Sequence, residues 1–193
     1  MIKNKYMKKL IKTIIKEVLP VILEIVKTHF SKQPVETKEC KPAILKPKRR
    51  YCKPLKRWGK CVSQGHGAPS SVYKLTGHHQ GVDHAVPLGT EIYAPADGEI
   101  VETGYHAKGL GNFVVCKYAP DRWLVAAHLK EKMPTGIVKR GDTIGVVGDT
   151  GFIMGVHSHI EIWCFNPVPR LNLPGDFKDN WRKYTLDPLS EFA

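Results

Sequence analysis

Gly155-Val156-His157-Ser158-His159-Ile160-Glu161-Ile162-Trp163 is the stretch on which the reading of this chain turns. After Val156 the run reads as a strand, and residues two apart in a strand share a face. His157 and His159 then project together, while Ser158 and Ile160 face the other way. Two imidazoles on one face can bind one metal ion together. Alternatively, one binds and the other moves protons. The spacing does not say which of the two would be the ligand, and a histidine pair alone is also compatible with an ordinary polar strand face.

Further residues of the same chemistry lie upstream. His79-Gln80-Gly81-Val82-Asp83 places an imidazole and a carboxylate four apart, an even spacing that keeps both on one strand face. His128 follows the apolar run Trp123–Ala127. Two histidines and one aspartate are the ligand set of a catalytic zinc site that leaves a fourth position open. His78 and His84 have the wrong parity to join. His66 and His106 read as loop residues, and His29 lies in the basic arm described below. Gly81 and the run Gly145, Gly148, Gly151 and Gly155 supply turns and close backbone approach.

From about residue 61 onward, short apolar runs of strand length alternate with Gly, Pro and Asp turn signals every eight to twelve residues. Examples are Glu91–Ala94, Gly98–Glu102, Asn112–Tyr118, Trp123–Ala127 and Thr143–Val147. This is the pattern of an antiparallel, mainly β domain. In that frame, His79-x-Gly81-x-Asp83, Ala127-His128-Leu129 and His157-x-His159, in this order, resemble the lysostaphin/LytM-type zinc endopeptidases, the M23 metallopeptidases. The resemblance covers about residues 61–190 and extends to Gly89–Gly98, Gly111-Asn112, Lys139–Gly151 and Asp187-Pro188-Leu189. The form Ser63–Gly67, Tyr73 and Gly77-His78-His79 is similar to versions found in bacteriophage proteins.

The resemblance implies an antiparallel β-sheet peptidase fold with Zn²⁺ held by His79, Asp83 and His159. It implies that His128 and His157 are the unligated, catalytic imidazoles, and that the substrate is peptidoglycan, cut in a stem peptide or cross-bridge. Tyr73 and Asn112 are candidates for the oxyanion site or the groove, with packing and a strand contact as their plainer roles. The chain departs from the family pattern at Ala126, at Ile153–Val156 and at Ser158. These departures leave every ligand in place and bear on the groove wall.

Charge divides the chain. Its formal net charge is +12 over 193 residues. Residues 1–60 hold 18 Lys and Arg against 4 acidic residues, while residues 61–193 hold 12 against 14. Such an arm points to an anionic partner, either an envelope polymer or a membrane surface. Nucleic acid ranks last, because the body lacks a basic stripe. Residues 1–33 carry apolar positions at helical spacing (Leu10, Ile11, Ile14, Ile15, Val18, Leu19, Ile22, Ile25, Val26) and read as an amphipathic helix. That helix is suited to a membrane surface, to self-assembly or to a seat in a virion. Lys16, Glu17, Glu24 and Lys27 interrupt it too often for a membrane span, and no secretory signal is evident. Residues 34–60, rich in Pro and Lys, read as a linker, and 61–193 as the peptidase domain. Virion association or release at host lysis is the favoured route to the wall. The rival reading is a structural or adaptor component of a virion or envelope assembly that uses the domain only to bind wall.

Five cysteines include no Cys-x-x-Cys pair, which argues against a thiolate zinc knuckle. Cys116 and Cys164 read as buried free thiols. Cys52 and Cys61 are candidates for a bridge in an oxidising compartment, although the odd total argues against a full disulfide framework.

Overall fold

The computed structural model describes residues 16, 51–167 and 173–193. The helical reading of 1–33 and most of the linker reading of 34–60 lie outside these residues, Lys16 aside. Among the described residues no helix is long and apolar enough to cross a membrane.

The domain is built on antiparallel strands: β1 (Val62–Gln64), β2 (Gly81–His84), β3 (Glu91–Tyr93), β4 (Gly98–His106), β5 (Gly111–Ala119), β6 (Arg122–Leu129), β7 (Gly136–Val138), β8 (Thr143–Val146), β9 (Ser158–Trp163) and β10 (Thr185–Leu186). Eight of them form one sheet in the order β1-β2-β9-β6-β5-β4-β7, with β10 also paired to β9, and β3 and β8 form a separate two-stranded sheet. Short helices α1 (Phe177–Asn180) and α2 (Pro188–Glu191) follow β9. Asp187 caps α2, its side chain accepting from the Leu189 N–H at 2.9 Å, with Pro188 at the first helical position.

Alternation along the central strands sorts their side chains into two layers. Val114, Cys116, Leu124, Ala126, Ile160 and Ile162 face one way, into a core that includes Ile92 and Ile144 of the small sheet. Val115, Val125 and Trp163 face the other way, under Phe165, Phe177, Trp181 and Tyr184. Strand β6 is buried on both faces, so its sequence reads as an unbroken apolar run rather than an alternating one.

Two expectations change. The last ten residues read as linker are part of the body: Leu55 and Trp58 are buried in the first core. The segment is also tied by Cys52 N–H to Pro95 O (2.8 Å) and Tyr93 N–H to Pro54 O (2.9 Å). Two apolar anchors outweigh the disorder-promoting composition around them, because each removes a large side chain from water. Among the cysteines, Cys116 is buried and free, and burial pushes its thiol up to about 12. Cys164, read as a free thiol, is instead disulfide-bonded, whereas Cys52 and Cys61 are free. The Cys52 thiol donates to Ala94 O at 3.0 Å.

Candidate metal centre and active site

Strands β2 and β9 pair with Asp83 directly opposite His159. Gly81 makes this pairing close: a Cβ there would strike the Ile160 carbonyl. His79 sits just before β2 and turns its ring onto the same point. His79 Nε2 lies 3.0 Å from His159 Nδ1, and Asp83 Oδ1 lies 2.8 Å from His159 Nδ1 and 3.3 Å from His79 Nε2. Ligand atoms of a tetrahedral Zn²⁺ with bonds of roughly 2.0–2.1 Å are about 3.3 Å apart, so the triangle has the size such an ion needs. Among the described residues, His79, Asp83 and His159 are the group whose ligand atoms all fall within 4.8 Å of one another, and all three are buried.

The outer hydrogen bonds decide which nitrogens are free. A carbonyl oxygen only accepts, so the His79 Nδ1–H donates to Gly65 O (3.2 Å) and leaves Nε2 with its lone pair. His159 is held the opposite way round, its Nε2–H donating to Glu161 Oε1 at 2.9 Å, which leaves Nδ1 as the nitrogen directed at Asp83 and the metal point. The second oxygen of Glu161 accepts from Trp163 Nε1–H at 2.6 Å. His159, Glu161 and Trp163 alternate along one face of β9, so a single carboxylate links the ligand to the aromatic layer. Such partners fix tautomer and ring orientation and raise ligand basicity. Once His159 gives up its Nδ1 proton, two neutral imidazoles and one carboxylate each aim a lone pair at a common point, a set that fits Zn²⁺.

Two more imidazoles border this point. The His128 Nδ1–H donates to Thr150 O at 2.9 Å and the His157 Nδ1–H to Gly155 O at 2.8 Å, so in each ring Nε2 is the nitrogen left for proton exchange. His157 Nε2 is 3.7 Å from Asp83 Oδ1. The His128 ring centroid lies 4.9 Å from that of His157 and 5.9 Å from that of His159. Burial is the main cause that lowers His128 to about 4, with the neighbouring imidazoles adding to it against the Thr150 hydrogen bond. Burial opposes ionisation of Asp83 and charging of His159. The hydrogen bonds between them prevail, holding the Asp83 carboxyl well below the usual range and raising His159 to about 9, with Glu161 assisting.

The structure thus brings His79, Asp83, His128, His157 and His159 together. Tyr73 reaches the edge, its ring 5.1 Å from that of His79. A cavity of about 190 Å³ opens there, lined by Val72, Tyr73, Lys108, Leu110 and Phe152 together with His106, His128 and His159. Asn112 stays outside: its Nδ2 donates to the carbonyls of Leu129 (3.2 Å) and Lys130 (3.4 Å). His78 turns away and stacks on Trp181, centroids 5.8 Å apart. His84, one residue beyond Asp83, faces Trp58 in the opposite layer, centroids 4.6 Å apart. Glu161 and Thr150 were missed from sequence. The same two-residue alternation that joins His157 to His159 also selects Glu161, whereas nothing local marks a backbone carbonyl such as that of Thr150.

Comparison with known proteins agrees with this geometry. Residues 77–169 match the model of Peptidase family M23. An uncharacterized metalloprotease of Haemophilus influenzae is 33% identical over 131 residues, covering 63% of this chain and 27% of the relative. The peptidoglycan DD-endopeptidase ShyC of Vibrio cholerae is 35% identical over 98 residues, covering 48% of this chain and 22% of the relative. The chain therefore spans about a quarter of the length of these curated relatives. Among solved structures, the catalytic domain of the antimicrobial peptidase lysostaphin from Staphylococcus simulans superposes with a TM-score of 0.52. It is 25% identical and covers 67% of this chain and 88% of that one. The matched segment holds all five converging side chains, and over residues 77–169 the chain is similar to peptidase family M23.

Proposed function

We propose that this protein is a zinc-dependent endopeptidase that hydrolyses peptide bonds of bacterial peptidoglycan, in a stem peptide or a cross-bridge. One observation carries the reading: three ligand atoms of His79, Asp83 and His159 converge within 4.8 Å, beside two imidazoles whose Nδ1–H groups are held by backbone carbonyls. A Zn²⁺ bound there supplies Lewis acidity, polarising the scissile carbonyl and making water acidic enough to attack near neutral pH.

The chain's own residues move the protons. His128, lowered to about 4, is neutral at pH 7 and accepts a proton at Nε2. Its Nδ1–H is already engaged by Thr150, so the proton it gains is the one it can return to the leaving amine. His157, its Nδ1–H held by Gly155 O, stands beside His128 with ring centroids 4.9 Å apart and acts at the oxyanion or the amine. Tyr73, its ring 5.1 Å from that of His79, walls the rim of the site. Asn112 has no place in this chemistry, since its amide is spent on backbone carbonyls.

The arm brings the enzyme to its substrate by charge, with an anionic envelope polymer or membrane surface as partner. Because Leu55 and Trp58 belong to the core, the informative truncation removes residues 1–50 and spares 51–60. It should weaken attachment to cell envelopes at low salt. Equal attachment with and without the arm would remove this part of the proposal.

The function is tested by mass spectrometry of fragments released from purified peptidoglycan. Wild-type protein with Zn²⁺ should release peptide fragments with new amino and carboxyl ends, and His159→Ala should release none. Intact wall after prolonged incubation with the zinc-loaded wild type would refute it.

A further inference from the structure

His128 has a backbone φ of +57°, in the left-handed region that residues with a side chain rarely occupy. Such a conformation persists only where the surroundings over-determine it, and here they do. The His128 N–H donates to Leu110 O at 2.7 Å, and its carbonyl accepts from Gly148 N–H at 2.8 Å. Its ring donates to Thr150 O at 2.9 Å.

Thr150 is the centre of this clamp. Its hydroxyl donates to Leu129 O at 2.8 Å, the carbonyl next along the chain from His128. The Thr150 hydroxyl oxygen accepts the Asn112 N–H at 2.9 Å. Asn112 closes the circuit by donating through Nδ2 to Leu129 O and Lys130 O. Gly111 permits the approach: a Cβ there would collide with Thr150, and the residue sits at φ +61°. Three separate pieces of chain, the start of β5, the end of β6 and the 148–151 loop, are thus locked together around one ring. A hydroxyl is the group that can donate and accept at once in this space.

We infer that Thr150 is a positioning residue, which with Asn112 holds the His128 ring with Nδ1–H engaged and Nε2 free toward the metal site. The inference rests on the proposed peptidase reading for its consequence and on the hydrogen bonds for its content. Removing the Thr150 hydroxyl loosens the loop, deprives the His128 Nδ1–H of a fixed acceptor and lets the other tautomer populate. The zinc ligands sit on and just before β2 and β9 and make none of these bonds.

The test uses the zinc-loaded full chain and nitrogen-15 NMR of the histidine rings, which reads the tautomer without reference to turnover. Wild type should show His128 protonated at Nδ1 and bare at Nε2. Thr150→Val should shift both nitrogens toward averaged values and lower kcat by about 10–100-fold, the usual range for supporting partners. KM and one zinc per chain should be retained, and Thr150→Ser should restore both tautomer and kcat. Asn112→Ala, which keeps its backbone N–H, should give a smaller shift in the same direction and serves if Thr150→Val does not fold. A wild-type ring protonated at Nε2 overturns the inference, as does a Thr150→Val ring unchanged in tautomer. Loss of zinc in Thr150→Val, or a Thr150→Ser as impaired as Thr150→Val, also overturns it, because the effect would then be general. If wild type proves inactive on peptidoglycan, the proposed function fails while the ring measurement still decides this inference.

Discussion

Strand β9 has two faces, equally buried and different in what they require. Ser158, Ile160 and Ile162 lie toward the small sheet, with Ile160 and Ile162 in its apolar core; His159, Glu161 and Trp163 lie toward the site and the aromatic layer. The apolar face stabilises by removing carbon from water, and many arrangements of Ile, Val and Leu would serve. The other face needs a partner at every polar atom. His159 meets Asp83 and Glu161, and Glu161 meets Trp163. Burial therefore fixes where β9 lies, and hydrogen-bond matching fixes what its ligand atom can do.

The sharpest way to break this division is to change one residue on each face. His159→Ala should abolish zinc binding and reduce hydrolysis to background, while circular dichroism still reports a folded domain. Ile160→Ala should cost about 2–5 kcal/mol in denaturant unfolding and still bind one zinc per chain. Loss of zinc from a folded Ile160→Ala would show that the faces are not separable. His128→Ala stands between them: kcat should fall by about 10²–10⁴-fold, the span of general acid–base contributions, with zinc content unchanged.

How far each face could be read from sequence follows from the same contrast. The period-two pattern at 157–161 puts both histidines on one face and Ile160 on the other, because β9 is a strand with two chemically distinct sides. The long interval between Asp83 and His159 was bridged by resemblance rather than by spacing; their direct pairing across β2 and β9 is a property of topology. Leu55 and Trp58 were hidden because Lys53, Pro54, Lys56 and Arg57 dominate the local composition. The role of Thr150 in the clamp was invisible because its contact with His128 is made by a main-chain carbonyl.

A smaller effect probes the site face through protons. His159 in the metal-free protein is raised to about 9, above an unfolded value of about 6.5. Its contribution to metal-free stability is therefore fully present below about pH 6.5 and lost as pH rises through about 9. Zinc needs the Nδ1 lone pair, so binding at pH 7 should release about one proton, and none from this group well above pH 9. Calorimetric titrations in two buffers of different ionisation enthalpy measure that release. Zinc binding at pH 7 without proton release would contradict a charged His159.

The smallest predicted effect belongs to the apolar face. Ser158 Oγ is buried without a hydrogen-bond partner among the described residues, a cost of roughly 1–3 kcal/mol for a hydroxyl so placed. Ser158→Ala gives up little packing and should raise stability by about 1 kcal/mol, read as a higher denaturation midpoint with unchanged slope, and leave kcat alone. A matching substitution on the other face, Glu161→Ala, should instead weaken zinc binding by about 10–100-fold.

Anomalous scattering from crystals of the zinc-loaded protein, recorded on either side of the zinc edge, tests the central claim most directly. The account predicts one peak at bonding distance from His79 Nε2, Asp83 Oδ1 and His159 Nδ1, with His128 Nε2 and His157 Nε2 facing it unbonded. A peak ligated by His128 or His157 in place of His159, or no peak at this triangle under saturating zinc, would contradict it.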